Sequence, residues 1–281
     1  MRIANVAGRL NLVVADRAID VASASRGRFA ADPQAVYEVF DDFKQWAAAQ
    51  DDHLDATPLD PASLGSPAPT PRQVFAIGLN YADHAAEGGI TKLPEEPTVF
   101  TKFASSFSGP VSEVRLPTAA VDWEVELVAV ISRTARDVDL EHAWSHVAGL
   151  TVGQDLSERR SQLRGPVPQF SLAKSHAGFS PTGPVLVTPD ELPDPDDLEI
   201  GCTVNGEEVQ KARTADMIFS VPELIAHLSS VVTLCPGDVI FTGTPAGVGM
   251  GRKPERYLQP GDELRSWVEG IGELRQRFVA H

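Results

Sequence analysis

The sequence predicts a β-rich α+β protein in which a small N-terminal α/β domain precedes a larger, strand-rich domain. Of the 281 residues, 42% are hydrophobic and 22% are charged, so the chain can bury a large core. Most apolar runs are short and end at glycine or proline, which is typical of strands. Strand-like and helix-like segments do not alternate regularly, and this disfavours a parallel α/β sheet.

Residues 1–70 form the predicted small domain. Residues 2–22 alternate apolar and polar side chains between turn-like breaks, which predicts an antiparallel meander. A helix is expected to begin with Asp32 as N-cap and Pro33 in its first turn, and its apolar residues recur at helical spacing. The proline-rich segment 51–72 predicts a linker, with the domain boundary near Pro71.

Residues 71–281 form the predicted larger domain. Its strand-like segments are QVFAIGLN, PTVFTKF, WEVELVAVIS, GLTVGQDLS, GPVLVT, LEIGCTVNG and GDVIFTG. Short helices are expected near 139–148, 157–163 and 221–233.

The charge of the chain restricts its partners. A formal net charge of −15 argues against binding to nucleic acid or an anionic membrane, because both carry phosphate charge. The N-terminal residues mix arginine and aspartate into the apolar positions, so no signal peptide or membrane span is predicted and we expect a cytoplasmic protein. Cys202 and Cys235 lie far apart without metal-ligand spacing, and neither a disulfide framework nor a zinc site is indicated.

The segment VDWEVELVAVI carries carboxylates at alternate positions. Along a strand such residues share one face, here Asp122, Glu124 and Glu126. Carboxylates that enter a core repel one another unless a cation neutralises them, and oxygen ligands favour Mg²⁺, Mn²⁺ or Ca²⁺. The alternative is an edge strand with a solvated acidic face.

A second acidic position follows in GLTVGQDLSERRSQL. Asp155 lies where a strand ends and a helical turn begins, and Arg159 and Gln162 share a face of that turn. A guanidinium and an amide there could bind a substrate carboxylate or enolate oxygen. The alternative is a surface helix in which Arg159 pairs with Glu158 or another acid.

The segment GLNYADHAAEGG places His84 and Glu87 three residues apart on a short predicted helix. A carboxylate that orients an imidazole makes a general base for water, and the flanking glycines are typical of a lid. The alternative is a surface ion pair.

Two further segments contain candidate substrate contacts. Lys174 precedes a Gly/Pro-rich turn, and Thr244 lies in the glycine-rich segment 243–251. That segment lacks the ending of a phosphate-binding loop, so we interpret it as a close backbone approach to a substrate carboxylate. A tight structural turn is the alternative.

Together these segments resemble the fumarylacetoacetate hydrolase superfamily, whose members cleave or rearrange small oxo acids. The resemblance covers about residues 72–280 and rests on the order and spacing of many motifs: GLNYADHAAE, PTVFTKF, DWEVELVAVI, QDLSERRSQ, AKSHAGFSPTGP, VNGEEVQ, TADMIFSVPELI, LCPGDVIFTGTPAGVG and YLQPGDEL.

The resemblance implies a mixed β-sheet roll, a homodimer and a set of site residues. The implied ligands of Mg²⁺ or Mn²⁺, with Ca²⁺ also compatible, are Glu124, Glu126 and Asp155. His84 and Glu87 would activate water. The implied substrate pocket contains Arg159, Gln162, Lys174 and Thr244, to which we add Tyr81 and His176 as candidate contacts.

The sequence departs from the family pattern at four positions. Gln154 stands in place of the usual Asn, and Arg160 in place of a common acid. His176 and Ala177 replace the usual Phe-Asp pair, so a pocket acid is lost and an imidazole is gained. His176 is either a substrate contact or a structural histidine.

The predicted function is metal-dependent hydrolysis of a carbon–carbon bond in a small anionic 2,4-dioxo acid, such as an acylpyruvate or a 2,4-diketo-3-deoxy sugar acid, with release of pyruvate. Decarboxylation of an oxaloacetate-type acid or keto–enol isomerisation would use the same site without water attack. A non-catalytic metal-binding protein is the third reading.

Overall fold

The structure is a computed structural model and describes residues 1–50 and 56–281. Nine of its strands precede the acidic segment: β1 (Arg2–Val6), β2 (Arg9–Val14), β3 (Arg17–Asp20), β4 (Thr57–Pro58), β5 (Leu64–Gly65), β6 (Val74–Gly78), β7 (Thr98–Thr101), β8 (Phe107–Ser108) and β9 (Val111–Arg115).

The remaining strands follow in chain order: β10 (Val121–Asp122), β11 (Val125–Ile131), β12 (Val147–Gln154), β13 (Ser157–Glu158), β14 (Ser180–Val187), β15 (Glu199–Val204), β16 (Glu207–Arg213), β17 (Val239–Phe241), β18 (Glu263–Val268) and β19 (Gly272–Val279). The α-helices are short: α1 (Val21–Ala24), α2 (Phe40–Ala48), α3 (Ala82–Glu87), α4 (Arg159–Gln162), α5 (Phe170–Ala173) and α6 (Val221–Val231). The prediction of a strand-rich α+β fold is confirmed.

Most strands belong to one mixed twelve-stranded sheet. Its main path is β4-β3-β2-β1-β14-β12-β11-β17-β6-β7, with β5 paired to β1 and β8 paired to β14. A second sheet has the order β16-β15-β18-β19-β9, and β10 pairs with β13 in a short ribbon. Strand β11, which begins directly after Glu124 and carries Glu126, therefore lies inside the large sheet and not at its edge.

Every residue of β11 is buried because both of its faces are covered. Leu127 and Ala129 belong to the hydrophobic cluster that also contains residues of β15, β18 and β19. Val128 and Val130 belong to a second cluster, which contains Phe40 and other side chains of the N-terminal region. This central position accounts for the nearly unbroken apolar run after Glu126.

The N-terminal meander forms as predicted, since β1, β2 and β3 pair antiparallel. It also continues the large sheet, because β1 pairs with β14. Within the predicted linker, β4 and β5 pair with β3 and β1, while residues 51–55 lie outside the described residues. The division into two domains at residue 70 remains a prediction.

Helix boundaries differ from the predictions in several places. Asp32 accepts a hydrogen bond from the Gln34 amide, but a 3-10 turn occupies Ala35–Val39 and the α-helix begins only at Phe40. The helix near 139–148 is reduced to a 3-10 turn at Ala143–His146. The helix near 221–233 forms, with Ser220 and Glu223 in a capping box. In the described part of the chain, no helix is long and apolar enough to cross a membrane.

Candidate active site

The predicted metal-ligand carboxylates come together at the ends of β11 and β12. Glu124, Glu126 and Asp155 each offer an oxygen, and these oxygens lie within 4.8 Å of one another. Antiparallel pairing of the strands creates this proximity, and the Asp155 amide donates to the Glu124 carbonyl at 2.9 Å. The three residues are at most 5% exposed, so the alternative of a solvated acidic edge is wrong.

The predicted strand through Asp122, Glu124 and Glu126 is interrupted, because β10 ends at Asp122 and β11 begins at Val125, so that Glu124 lies between them. The side chains of two buried glutamines accept from the backbone amides at this break. Gln154 Oε1 accepts from the Glu124 amide at 2.9 Å, and Gln210 Oε1 accepts from the Val125 amide at 3.0 Å. The sequence singled out Gln154 only as a departure from the family pattern, and it did not identify Gln210 as a site residue.

Two predicted cations contact the carboxylates directly. Lys174 Nζ lies 2.6 Å from Glu124 Oε2 and 2.5 Å from Asp155 Oδ2. Arg159 Nη1 lies 2.6 Å from Glu124 Oε1, and Arg159 Nε donates to Asp122 Oδ2 at 2.8 Å. Arg159 is 4% exposed, so the alternative of a surface helix is wrong, although its pairing with acids is correct.

These ion pairs shift the pKa of their members. Burial raises the pKa of Glu124, but Lys174 and Arg159 outweigh it and hold the pKa at about 2. Burial likewise opposes protonation of Lys174, but Asp155 and Glu124 raise its pKa overall. Glu124 is therefore an anion and Lys174 a cation at neutral pH.

Lys102 is a third buried cation that the sequence analysis did not select. Its Nζ lies 2.5 Å from Asp155 Oδ1, 2.5 Å from the Lys174 carbonyl and 3.3 Å from the Phe179 carbonyl. The signal that could have identified it is a single lysine between two phenylalanines in the strand-like segment PTVFTKF. All three of its N–H groups have a protein acceptor.

The residues fit a divalent cation. Glu126 accepts from the Gly243 amide at 2.8 Å but lacks a cationic partner among the described residues, and burial beside Asp155 and Glu124 raises its pKa well above the usual range. Within the described ranges, four buried carboxylates, including that of Asp122, face three buried cations. An oxygen-only donor set of this kind is suited to Mg²⁺, Mn²⁺ or Ca²⁺.

The predicted contact between His84 and Glu87 forms on α3. His84 Nδ1 lies 3.2 Å from Glu87 Oε2, and the two side chains are 14% and 17% exposed. His84 also lies close enough to Glu124 for a protonated imidazole to lower the pKa of that carboxyl group. The alternative of a surface pair is therefore wrong.

The glycine-rich segment binds carboxylates of the protein itself. The Gly243 amide donates to Glu126, the Gly247 amide to Glu87 at 3.1 Å, and the Gly249 amide to Asp122 at 2.7 Å. The sequence predicts that this backbone approaches a substrate carboxylate, whereas in the structure these amides donate to carboxylates of the protein. Close backbone approach is correct, but its partner is different.

The other candidate contacts lie around this centre. Gln162 Oε1 accepts from Arg159 Nη1 at 2.9 Å, and Thr244 Oγ1 accepts from Gln210 Nε2 at 2.8 Å. Among the described residues, the buried Tyr81 Oη and Arg159 Nη2 have no hydrogen-bond partner. Such donors are available to a ligand.

His176 is half-buried, and its ring centroid lies 4.9 Å from that of Phe179. Burial lowers the pKa of His176. This packing agrees with a structural histidine, and its role as a substrate contact stays a prediction.

Comparison with known proteins identifies the family. Residues 73–279 match the fumarylacetoacetate (FAA) hydrolase C-terminal domain. The chain belongs to this family. Its members include enzymes named as hydrolases and as tautomerases.

Three similar proteins illustrate the family. Human mitochondrial oxaloacetate tautomerase FAHD2A is 44% identical over 228 residues, which are 80% of this chain and 72% of the human protein. A crystal structure of a Mycobacterium smegmatis protein provisionally named HpcE is 60% identical with a TM-score of 0.96, covering 100% of this chain and 99% of that one. Maleylpyruvate hydrolase from Sphingobium sp. SYK-6, solved with manganese(II) and pyruvate, is 31% identical with a TM-score of 0.82, covering 100% and 99%.

Proposed function

We propose that this protein is a divalent-metal-dependent hydrolase that cleaves a carbon–carbon bond of a small 2,4-dioxo acid and releases pyruvate. The observation that carries the proposal is the His84–Glu87 pair beside the buried carboxylates. The similar maleylpyruvate hydrolase, which binds manganese(II) and pyruvate, supports the same reaction class.

Glu124, Glu126 and Asp155 would hold Mg²⁺ or Mn²⁺, and Ca²⁺ would find the same donor atoms. A bound divalent ion supplies a Lewis acid that stabilises negative charge on substrate oxygens. Lys102 and Lys174 orient Asp155 through direct contacts at 2.5 Å.

His84 has the geometry of a general base. With Nδ1 donating to Glu87, its Nε2 carries the lone pair that accepts a proton from water. The water oxygen then bonds to the distal carbonyl carbon. The bond between that carbon and C3, the carbon between the two carbonyl groups, then breaks. Its electron pair forms the enolate of pyruvate, and His84 donates the proton it took from water to C3.

Arg159 and Tyr81 would hold the substrate. Arg159 Nη2 and Tyr81 Oη are buried donors that find no acceptor in the described residues, and an oxo acid offers anionic and carbonyl oxygens to them. Fixed donors aimed at developing negative charge stabilise a transition state without reorganisation.

Keto–enol tautomerisation of oxaloacetate is a second candidate, supported by the 44% identity to the human tautomerase. It needs the same enolate and a base that moves a proton between carbon and oxygen, without water attack. His84 could perform that transfer from the same position.

The test is a panel of acylpyruvates, diketo sugar acids and oxaloacetate, assayed with Mn²⁺ and with a chelator. Pyruvate release from a dioxo acid supports hydrolysis, whereas enol–keto conversion of oxaloacetate alone supports the second candidate. Absence of turnover with every substrate would favour a metal-binding protein without catalysis.

A matched pair of variants tests the base. We expect His84→Ala to lower hydrolysis by about 100-fold or more, which is the usual contribution of a general base. His142→Ala is the control, because His142 makes a similar i,i+3 contact with Asp139 at 2.6 Å but is 65% exposed. If His84→Ala hydrolyses the substrate like the wild type, the mechanism is wrong.

A further inference from the structure

Gly251 and Glu87 approach each other more closely than any side chain at position 251 would allow. A Cβ atom on Gly251 would lie 2.3 Å from Glu87 Cγ, 2.3 Å from Cδ and 2.5 Å from Oε1. The backbone of Gly251 is outside the left-handed region, so its conformation does not require glycine. The requirement at this position is space.

The same Glu87 carboxylate has two hydrogen-bond donors. The Gly247 amide donates to it at 3.1 Å, and His84 Nδ1 lies 3.2 Å away. Gly247 is packed against the Val209 backbone, since a Cβ there would lie 2.0 Å from the Val209 carbonyl oxygen, and its own carbonyl accepts from Trp123 Nε1 at 3.1 Å. The loop therefore presents one fixed amide to Glu87 and leaves a gap at Gly251.

We propose that Gly251 is a positioning residue, whose missing side chain admits the Glu87 carboxylate to the Gly247 amide and thereby orients His84. The proposal rests on the proposed function, in which His84 is the base. Helix α3 carries both members of the pair, while residues 247 and 251 belong to a distant part of the sequence. The loop thus sets the orientation of the imidazole through Glu87.

Gly251→Ala tests the proposal with little risk to the fold. The atoms that a methyl group would meet are the end of a flexible side chain, so Glu87 can swing away while the backbone remains in place. We expect a melting temperature within a few degrees of the wild type and a kcat lower by about 100-fold, comparable to loss of the base. Gly88→Ala is the matched control, since its Cβ would meet its nearest neighbour, the Ala85 carbonyl, at an ordinary 3.5 Å.

Non-additivity separates positioning from a structural effect. In a Glu87→Ala background the carboxylate is gone, so adding Gly251→Ala should change kcat by no more than about threefold. A further loss of 100-fold in the double variant would overturn the proposal, because Gly251 would then act independently of Glu87.

Hydrogen exchange of the Gly247 amide gives a readout that does not depend on activity. We expect faster exchange in Gly251→Ala and in Glu87→Ala, and wild-type exchange in Gly88→Ala. Wild-type exchange in Gly251→Ala would overturn the proposal whatever the enzyme does. If the Gly247 amide exchanges faster in Gly251→Ala but the wild type is inactive, the role of Gly251 in the Glu87 contact is supported and the proposed function is wrong.

Discussion

Lys102→Met removes the buried cation that the sequence analysis did not select. The Lys102 side chain is inaccessible to solvent, and its Nζ contacts Asp155 and the carbonyls of Lys174 and Phe179. Methionine has a similar length and fills the same space without a charge. The substitution therefore tests electrostatics and hydrogen bonding with little change in packing.

The expected magnitude follows from these contacts. Removing one partner of a buried ion pair costs about 3–5 kcal/mol, because the other charge stays buried. Asp155 keeps Lys174 at 2.5 Å, which places this cost near the lower limit. The Lys174 carbonyl loses its donor, which adds about 1 kcal/mol, whereas the Phe179 carbonyl still accepts from the Leu156 amide at 3.2 Å. We expect the free energy of unfolding to fall by about 4 kcal/mol.

Urea unfolding in the presence of a chelator, followed by tryptophan fluorescence and extrapolated to water, measures this loss. The control is Lys92→Met, since Lys92 pairs with Glu95 at 2.8 Å on the surface, where the side chains are 84% and 81% exposed. An exposed pair of this kind contributes less than about 1 kcal/mol. If Lys102→Met lies within about 1 kcal/mol of the wild type, the argument for a buried counter-ion is refuted.

Two further predictions concern Gln210, which supports the backbone of the site, and Asp20 on the surface. Gln210→Leu leaves the buried Val125 amide and the Pro245 carbonyl without partners. The free energy of unfolding should therefore fall by about 2–4 kcal/mol in the same urea assay. Gln259→Leu is the control, because Gln259 is exposed and its loss should have no such effect. A hydrogen bond from Arg9 lowers the pKa of Asp20 from 3.8 to about 2. Ionised Asp20 therefore stabilises the folded state above about pH 4, and this stabilisation is lost as the pH falls towards 2. The melting temperature of Asp20→Asn should therefore lie below that of the wild type at pH 5 and converge with it near pH 2; an equal difference at both pH values would contradict this pairing.

The sequence by itself determined the elements whose signal is local. The alternation of carboxylates predicted that Glu124 and Glu126 point to the same side, because side chains repeat every two residues in extended backbone. Their oxygens do lie together, although Glu124 stands just before the first residue of β11. The i,i+3 spacing of His84 and Glu87 predicted their contact, because residues three positions apart are neighbours on the surface of a helix. The family resemblance, which depends on the order of motifs, was also available from the sequence and is confirmed by the match over residues 73–279.

Only the tertiary structure decided which groups surround these residues. Lys102 contacts Asp155, 53 positions later, and Gln210 contacts the Val125 amide, 85 positions earlier. Local periodicity carries no signal for such contacts, because they depend on how separate strands come together. The loop amides that donate to Glu126, Asp122 and Glu87 are a further case, since these acceptors lie 117 to 160 positions away in the sequence. The chain encodes the chemical groups locally, and the folding of distant segments against one another determines their partners.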